Sequence, residues 1–320
     1  MIRRLRFTPA LQRVLAASLA LSCLAGLTAC KRAQTVRIGY QKFGVLLVLK
    51  ERGTLEPILK ASNVSVEWSE FPSGPPVMEA LHAGKIDLGL AGEAPPVFAQ
   101  AGDAPIVYVA CDPPSPRGEV ILVRKGSTFQ TIADLKGKKI ALNRASNVHY
   151  FLAQALASAS VPYDQVTLEF LSPSDARAAF ESGAVDAWVI WDPFLASALH
   201  STDARVLRDA TGLAGNVPYY LSTRDYASHH GDVLAAIEGA IHDVDAYVRT
   251  SPHDVATLLA PKIGMQVEAV EDSLRRNVFD LRAVDADVVA NQQRVADTFF
   301  ALGLLPHAVK IADAVIPISN

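Results

Sequence analysis

The hydrophobic and polar positions of residues 175–194 predict a short helix, a turn and a buried strand. Small and apolar residues first recur at the spacing of one helix face. Gly183 then stands where a helix commonly ends, and the apolar run 185–191 follows it as a strand. A polar turn, Asp192-Pro193, closes the strand. The stretch is therefore one helix-strand unit with functional groups at its end.

The same pattern occurs earlier, over residues 77–96. Three pairs of residues are separated by the same 99 positions: Gly84 and Gly183, Asp87 and Asp186, and Glu93 and Asp192. Further strand and helix patterns precede both stretches, so each half reads strand, helix, strand, helix, strand. We interpret this as a duplicated architecture, an α/β fold of two β-α-β lobes with mostly parallel sheets.

The signal-like N-terminus and the proline-rich stretch of the chain indicate where the domain boundaries are expected. Residues 1–29 read as a signal peptide, and 30–116 as the first part of lobe one. The proline-rich stretch 112–118 is a stiff connector that we expect to cross between the lobes. Residues 117–222 are expected to form lobe two. Residues 223–320 would then return to lobe one with a series of helices.

The N-terminus combines a basic start with an apolar stretch at 14–29, which is too short for an ordinary membrane span. It ends in Leu27-Thr28-Ala29-Cys30, which resembles a bacterial lipobox. Cys30 would then carry lipid and tether the body to a membrane; simple cleavage after Ala29 is the alternative. Cys111 would have no partner in the mature chain, so we expect no disulfide and a buried thiol.

Composition and motifs exclude several function classes. The 320 residues are half hydrophobic and carry a formal charge of −3, enough for two cores and without the positive charge that nucleic acid attracts. Metal-ligand spacings, phosphate-binding glycine loops and nucleophile elbows do not occur in the sequence. We therefore expect no metal, no cofactor and no enzymatic activity.

Candidate ligand groups follow strands or begin helices. Gln41, Gly74 and Gly92 lie in loops expected at one edge of lobe one, where open α/β sheets bind ligands. Ser146 and Asn147 open a helix in lobe two, whose free N–H groups would attract an anion. A solvated loop at Gln41 and a simple helix cap at Ser146 remain the alternatives.

Beyond these features, five stretches of the chain resemble the aliphatic sulfonate-binding proteins, within the nitrate/sulfonate/bicarbonate group of ABC-importer solute-binding proteins. The stretches are IGYQK, EFPSGPPVMEALHAGKIDLGLAGEAPP, VYVACDPPSPRGEVILV, IADLKGKKIAL and DARAAFESGAVDAWVIWDPF. The resemblance covers roughly residues 36–317. It implies a bilobed, periplasmic-binding-protein-like fold of type II, in which two lobes close on a ligand. It also implies a periplasmic monomer that delivers its ligand to a membrane permease driven by an ATPase.

By position, the resemblance places these residues in the ligand cleft: Gln41, Gly74, Gly92, Glu93, Ser146, Asn147, Val148, His149, Trp191 and Asp192. Three departures alter the expected cleft. Ala145 stands where the family usually has glycine, Ser146-Asn147-Val148 replaces a run of serines, and Phe43 replaces a small residue.

A sulfonate accepts hydrogen bonds only, so backbone N–H groups at 146–148, the Ser146 hydroxyl and the amides of Asn147 and Gln41 are expected donors. Trp191 would wall the organic tail. Glu93 and Asp192 suit an anion poorly; they would either contact a cationic part of the ligand or fix Arg117 or loop amides. Alternative ligands are taurine, nitrate and pyrimidines. An enzyme on the same fold, with Glu93 and His149 as its acid-base pair, is the alternative from another class.

Overall fold

A computed structural model of the protein describes residues 34–42 and 44–316. The expected signal peptide, the lipidation at Cys30 and the departure at Phe43 lie outside the described residues. Within them, no helix is both long enough and apolar enough to cross a membrane.

Two five-stranded sheets form the frame of the protein, each with an antiparallel strand inserted among parallel ones. The first has the order β2-β1-β3-β10-β4 and the second β7-β6-β8-β5-β9. The strands are β1 (Gln34–Tyr40), β2 (Val64–Glu70), β3 (Leu88–Ala91), β4 (Ile106–Cys111), β5 (Glu119–Arg124), β6 (Lys139–Leu142), β7 (Thr167–Phe170), β8 (Ala187–Trp191), β9 (Ala204–Asp209) and β10 (Tyr219–Thr223). β1 runs parallel to β3, and β6 runs parallel to β7 and β8, as the two-lobe prediction required.

Helices cover the sheets and form the C-terminal part of the described chain. They are α1 (Val45–Arg52), α2 (Leu55–Lys60), α3 (Gly74–His82), α4 (Ala94–Ala101), α5 (Asn147–Ser158), α6 (Pro173–Ser182), α7 (Phe194–Ser201), α8 (Arg224–His229), α9 (Gly231–Thr250), α10 (Pro252–Ile263), α11 (Val267–Arg276) and α12 (Ala286–Ala301). Short 3₁₀ turns occur at Pro116–Gly118, Ile132–Leu135, Tyr163–Gln165 and Ile311–Ala314.

The duplication predicted from the 99-residue offset is present in atomic detail. Asp87 accepts a hydrogen bond from the backbone N–H of Arg37 at 2.8 Å, and its own N–H donates back to the Arg37 carbonyl at 2.7 Å. Asp186 makes the same two bonds with Lys139, at 2.9 and 2.8 Å. The two aspartates thus register the first strand of each lobe against the third. Gly84 and Gly183 both adopt the left-handed conformation that ends the preceding helix.

The expected boundary at residue 222 is wrong. β10 pairs antiparallel with β3 and β4, so it belongs to the first sheet, and the boundary falls inside this strand. The return crossing therefore precedes Tyr219 and lies in the segment 210–218. The error arises because β10 is adjacent in sequence to lobe two, whereas its hydrogen-bond partners come from lobe one.

The C-terminal helices pack largely on lobe one, as expected. Val233 and Ile237 of α9 and Leu259 of α10 share a hydrophobic core with Ile38 of β1. The last helix, α12, also reaches the second lobe, because Phe299 contacts Phe98 of α4 at 4.8 Å between ring centroids and Tyr150 of α5 at 6.0 Å. The C-terminal helices therefore contact both lobes.

Cys111 ends β4 as a buried free thiol, as predicted. Burial raises its pKa to about 11, so the thiol is protonated and unreactive at neutral pH.

Candidate functional site

A narrow cavity of about 20 Å³ lies between the lobes, at the carboxyl ends of β1, β3 and β8 and the amino ends of α3 and α5. It is lined by Gln41, Gly74, Gly92, Asn147, Trp191, Asp192, Asn216, Pro218 and Asn277. Both lobes, the return crossing and the end of α11 therefore contribute to one site. This is the crevice in which open α/β sheets bind ligands.

The structure brings together most of the cleft residues expected from the sequence. Gln41, Gly74, Gly92, Asn147, Trp191 and Asp192 line the cavity, whereas Glu93, Ser146, Val148 and His149 do not. Asn216, Pro218 and Asn277 were missed. They lie on the return crossing and on the tail, where no local pattern in the sequence indicates that the chain comes back to the cleft.

Side-chain amides form a linked set along one wall of the cleft. Asn147 donates from Nδ2 to Oδ1 of Asn216 at 3.1 Å, and Asn216 donates in turn to the carbonyl of Ser115 at 2.9 Å. Gln41 donates to the carbonyl of Leu90 at 2.9 Å. Each amide nitrogen carries two hydrogens, so one bond to the protein holds the group in place and leaves a second hydrogen for a ligand.

Asn277 repeats this arrangement from the tail, donating from Nδ2 to the carbonyl of Ser273 at 2.8 Å. Trp191 supplies a flat apolar surface, because its ring is mostly buried and packs edge-on against Phe194 at 6.1 Å. The cleft thus combines several N–H donors with one aromatic wall.

The Ser146 hydroxyl is committed elsewhere. Its Oγ donates to the carbonyl of Asn143 at 2.6 Å and does not cap α5. No side chain caps this helix, and its first residue, Asn147, lines the cavity. Anion attraction at this helix start stays a prediction, and the Ser146 side chain does not contribute to it directly.

His149 fixes the loop before α5 from behind. Its Nδ1 accepts the backbone N–H of Ala145 at 3.3 Å, so Nε2 carries the hydrogen and donates to the Tyr163 hydroxyl. The ring also contacts Phe170 and Phe299, each at 5.4 Å between centroids. Burial, with a smaller effect of Arg144, lowers the pKa of His149 to about 4. The histidine is therefore neutral and is a supporting group behind the cleft.

Glu93 belongs to the junction of the lobes. Its Oε2 accepts the backbone N–H of Val217 at 3.3 Å, while Oε1 has no partner. Both oxygens of the fully buried Glu119 are also without a partner. Burial raises the pKa of Glu93 to about 7, and burial followed by the charge of Glu93 raises the pKa of Glu119 well above its usual range. Because two adjacent buried carboxylates cannot both ionise, the pair retains a proton at neutral pH.

Asp192 is paired with an arginine from the tail. Its carboxylate accepts from Nε and Nη2 of Arg276 at 2.7 and 2.9 Å, and from the backbone N–H of Ala196 at 3.2 Å. The expected alternative partner, Arg117, is exposed on the connector. Arg276 was missed because it lies 84 residues from Asp192.

Comparison with known proteins decides the family. The model of the family described as "NMT1/THI5 like" matches residues 59–254, more than half of the chain. The chain belongs to the NMT1/THI5-like family. A protein of Escherichia coli (strain K12) named for binding aliphatic sulfonates is 41% identical over 87% of this chain and 87% of its own length. The resemblance expected from the sequence is therefore confirmed.

Two solved structures share the fold. The alkanesulfonate-binding protein SsuA from Xanthomonas axonopodis pv. citri, bound to MOPS, superposes with a TM-score of 0.84 at 38% identity, over 90% of this chain and 100% of that one. The periplasmic aliphatic sulphonate binding protein SsuA from Escherichia coli superposes with a TM-score of 0.82 at 38% identity, over 90% and 93%. The bilobed fold of this NMT1/THI5-like protein is therefore that of periplasmic binding proteins.

The backbone of Ala145 gives a testable consequence of one departure from the family. Ala145 has φ +57, a left-handed conformation that costs an L-residue about 1–2 kcal/mol. Ala145→Gly should remove this strain. The larger conformational entropy of glycine in the unfolded chain offsets part of the gain, so the free energy of unfolding should rise by about 0.5–1 kcal/mol. Denaturant titration measures the change.

Ala235→Gly provides the control, because Ala235 is exposed within α9, where glycine should cost about 1 kcal/mol. A loss of stability in both variants would contradict the strained backbone at Ala145.

The Glu93 carboxyl gives a prediction for the pH dependence of stability. Its pKa is about 7 when folded against an ordinary value of 4.5, so the folded state binds the proton more tightly. This contribution to stability is complete below pH 4.5 and is lost as pH rises to about 7, on the order of 3 kcal/mol. Glu93→Gln should reduce this decrease of the free energy of unfolding with rising pH. Denaturant titrations at several pH values across this range measure it.

Glu79→Gln is the matched control, since Glu79 is exposed on α3. It should leave the slope unchanged. Identical slopes for Glu93→Gln and the unaltered protein would show that Glu93 does not hold the proton.

Proposed function

We propose that this protein is a solute-binding protein that captures an alkanesulfonate between its two lobes and delivers it to an ABC importer. The observation that carries the proposal is the amide-lined cleft at the meeting point of the lobes, in a chain whose relatives are named for binding sulfonates. The permease and the ATPase that would receive the ligand are inferred from the same relatives.

The chemistry of the lining suits a sulfonate. This group is ionised at biological pH, and its oxygens only accept hydrogen bonds, so a binding site needs donors and no titrating base. Gln41, Asn147, Asn216 and Asn277 offer such donors, and the positive end of α5 adds a favourable field. Charge-assisted bonds contribute about 1.5–3 kcal/mol each. Three or four are enough for micromolar binding, about −8 kcal/mol, after ordering costs.

The apolar surface of the cleft bears on the organic part of the ligand. Trp191 provides one apolar wall, which fits an alkyl or ring substituent better than bare nitrate or sulfate. Taurine and pyrimidines remain alternatives, and the relative that holds MOPS supports a sulfonate with a bulky substituent.

An enzyme on this fold is the candidate that the site does not favour. Among the described residues that line the cavity, none is a serine, cysteine, histidine or lysine, and Asp192 is engaged by Arg276. Glu93 and His149, the acid-base pair considered from the sequence, lie outside the lining. The site therefore lacks an available nucleophile or base, and binding without turnover is the proposed activity.

Location follows as part of the proposal. A relative of this chain is named as a periplasmic protein, and residues 1–29 have the pattern expected of a signal peptide. We propose that the protein acts as a monomer in the periplasm, tethered by a lipid at Cys30.

Thermal-shift measurements with alkanesulfonates, MOPS, taurine, sulfate, nitrate and pyrimidines test the proposal. An alkanesulfonate at 100 times its dissociation constant should add about 2.7 kcal/mol of stability. Asn147→Asp should abolish this stabilisation by placing a carboxylate against the anion. No stabilisation of the unaltered protein by any sulfonate would refute the function.

Ser146→Ala is the matched control at the neighbouring position. Its hydroxyl bonds to Asn143 and does not line the cavity, so the dissociation constant should change less than threefold. A loss of affinity comparable to that of Asn147→Asp would show that the Ser146 hydroxyl contributes to ligand binding.

A further inference from the structure

The cleft has an electrostatic problem for an anionic ligand. Among the described residues that line the cavity, Asp192 alone carries a formal charge, and it is negative. Its side chain is 1% exposed, so water screens it poorly. An uncompensated carboxylate in this position would repel the ligand that the amide donors attract.

Arg276 compensates this charge with a specific geometry. Its Nε and Nη2 bind the two oxygens of Asp192 at 2.7 and 2.9 Å, the paired arrangement that a guanidinium makes with a carboxylate. The Arg276 side chain remains 23% exposed. It is followed by Asn277, which lines the cavity. The arginine is thus adjacent to the site without being part of its lining.

The ion pair also joins parts of the protein that belong to different lobes. Arg276 ends α11, which buries Val270 in the core of lobe one. Asp192 follows β8 of the second sheet. A second, more exposed pair, His200 of α7 with Asp272 of α11 at 2.8 Å, makes the same connection. α11 is therefore fastened to lobe two at the rim of the cleft.

We propose that Arg276 is the positioning residue that makes this cleft selective for anions, by neutralising Asp192 and by tying α11 to lobe two around the ligand. The inference rests on the proposed function and deepens it. Arg276 acts through Asp192 and not through contact with the ligand.

The titration of Asp192 separates this role from a purely structural one. Burial raises the pKa of Asp192, while the hydrogen bond and the charge of Arg276 and the Ala196 N–H oppose the rise. Asp272 adds a further negative charge nearby, itself paired with His200. Without Arg276, the carboxyl should therefore take up a proton more readily, and a protonated Asp192 no longer repels an anion.

Calorimetry with ethanesulfonate, a monoanion at every pH used, tests the proposal. At pH 8, Arg276→Met should weaken binding at least tenfold relative to the unaltered protein. At pH 5 the ratio between the two proteins should shrink to about threefold or less, as Asp192 protonates. Adding Asp192→Asn to Arg276→Met should restore affinity at pH 8 to within about threefold.

Arg275→Met is the matched control. Arg275 precedes Arg276 in α11 and carries the same charge, but it forms its ion pair with Glu271. It should change affinity less than twofold. If Arg276→Met does not fold, Arg276→Lys keeps the charge but loses the paired geometry. It should then weaken binding at pH 8 by severalfold and recover at pH 5.

Two results would overturn the inference: a pH-independent loss of affinity in the Arg276 variant, or no recovery in the double variant. A failure of the proposed function is different, because the unaltered protein would then bind neither ethanesulfonate nor the other sulfonates.

Discussion

The contact between Gly92 and Asn147 is the constraint on which the closed cleft depends. A Cβ atom at position 92 would lie 2.7 Å from Cγ of Asn147, so a side chain there would force the Asn147 amide, or α5 with it, to move. Gly118 makes a similar approach, since its Cβ would lie 2.9 Å from Asn216 Nδ2. Bare backbone at these two points lets the amides of the second lobe, the crossing and the tail meet within one small volume.

This closeness requires that polar groups at the junction find partners inside the protein. The amide of Asn216 links Asn147 to the first connector through the Ser115 carbonyl. Ser115 in turn donates its backbone N–H to Gly215, so the two crossings are bonded to each other. Asn147, which lines the cavity, is therefore fixed to both crossings through these hydrogen bonds.

The sequence indicated the parts of this arrangement that are periodic or local. The 99-residue offset predicted two lobes, and loops after strands predicted Gln41, Gly74 and Gly92 at one edge of lobe one, whereas Trp191 was expected in the cleft only from the family resemblance. Asn216 and Asn277 could not be found this way, because they reach the cleft through the path of the whole chain. Ser146 was misassigned for a local reason: an N-cap serine can bond either the helix or a preceding carbonyl, and its sequence position does not distinguish them.

The duplicated architecture places an acidic residue after the third strand of each lobe, and the two lobes neutralise it differently. In lobe one, Glu93 is buried beside Glu119, and burial keeps a proton on the pair. In lobe two, Asp192 stays in the lining and receives a guanidinium from α11. The Glu93–Glu119 pair responds to pH, whereas the Asp192–Arg276 ion pair adds a connection between the lobes. Of the two carboxyls, only Asp192 lines the cavity among the described residues, so Arg276 offsets negative charge at the place where an anion would be held.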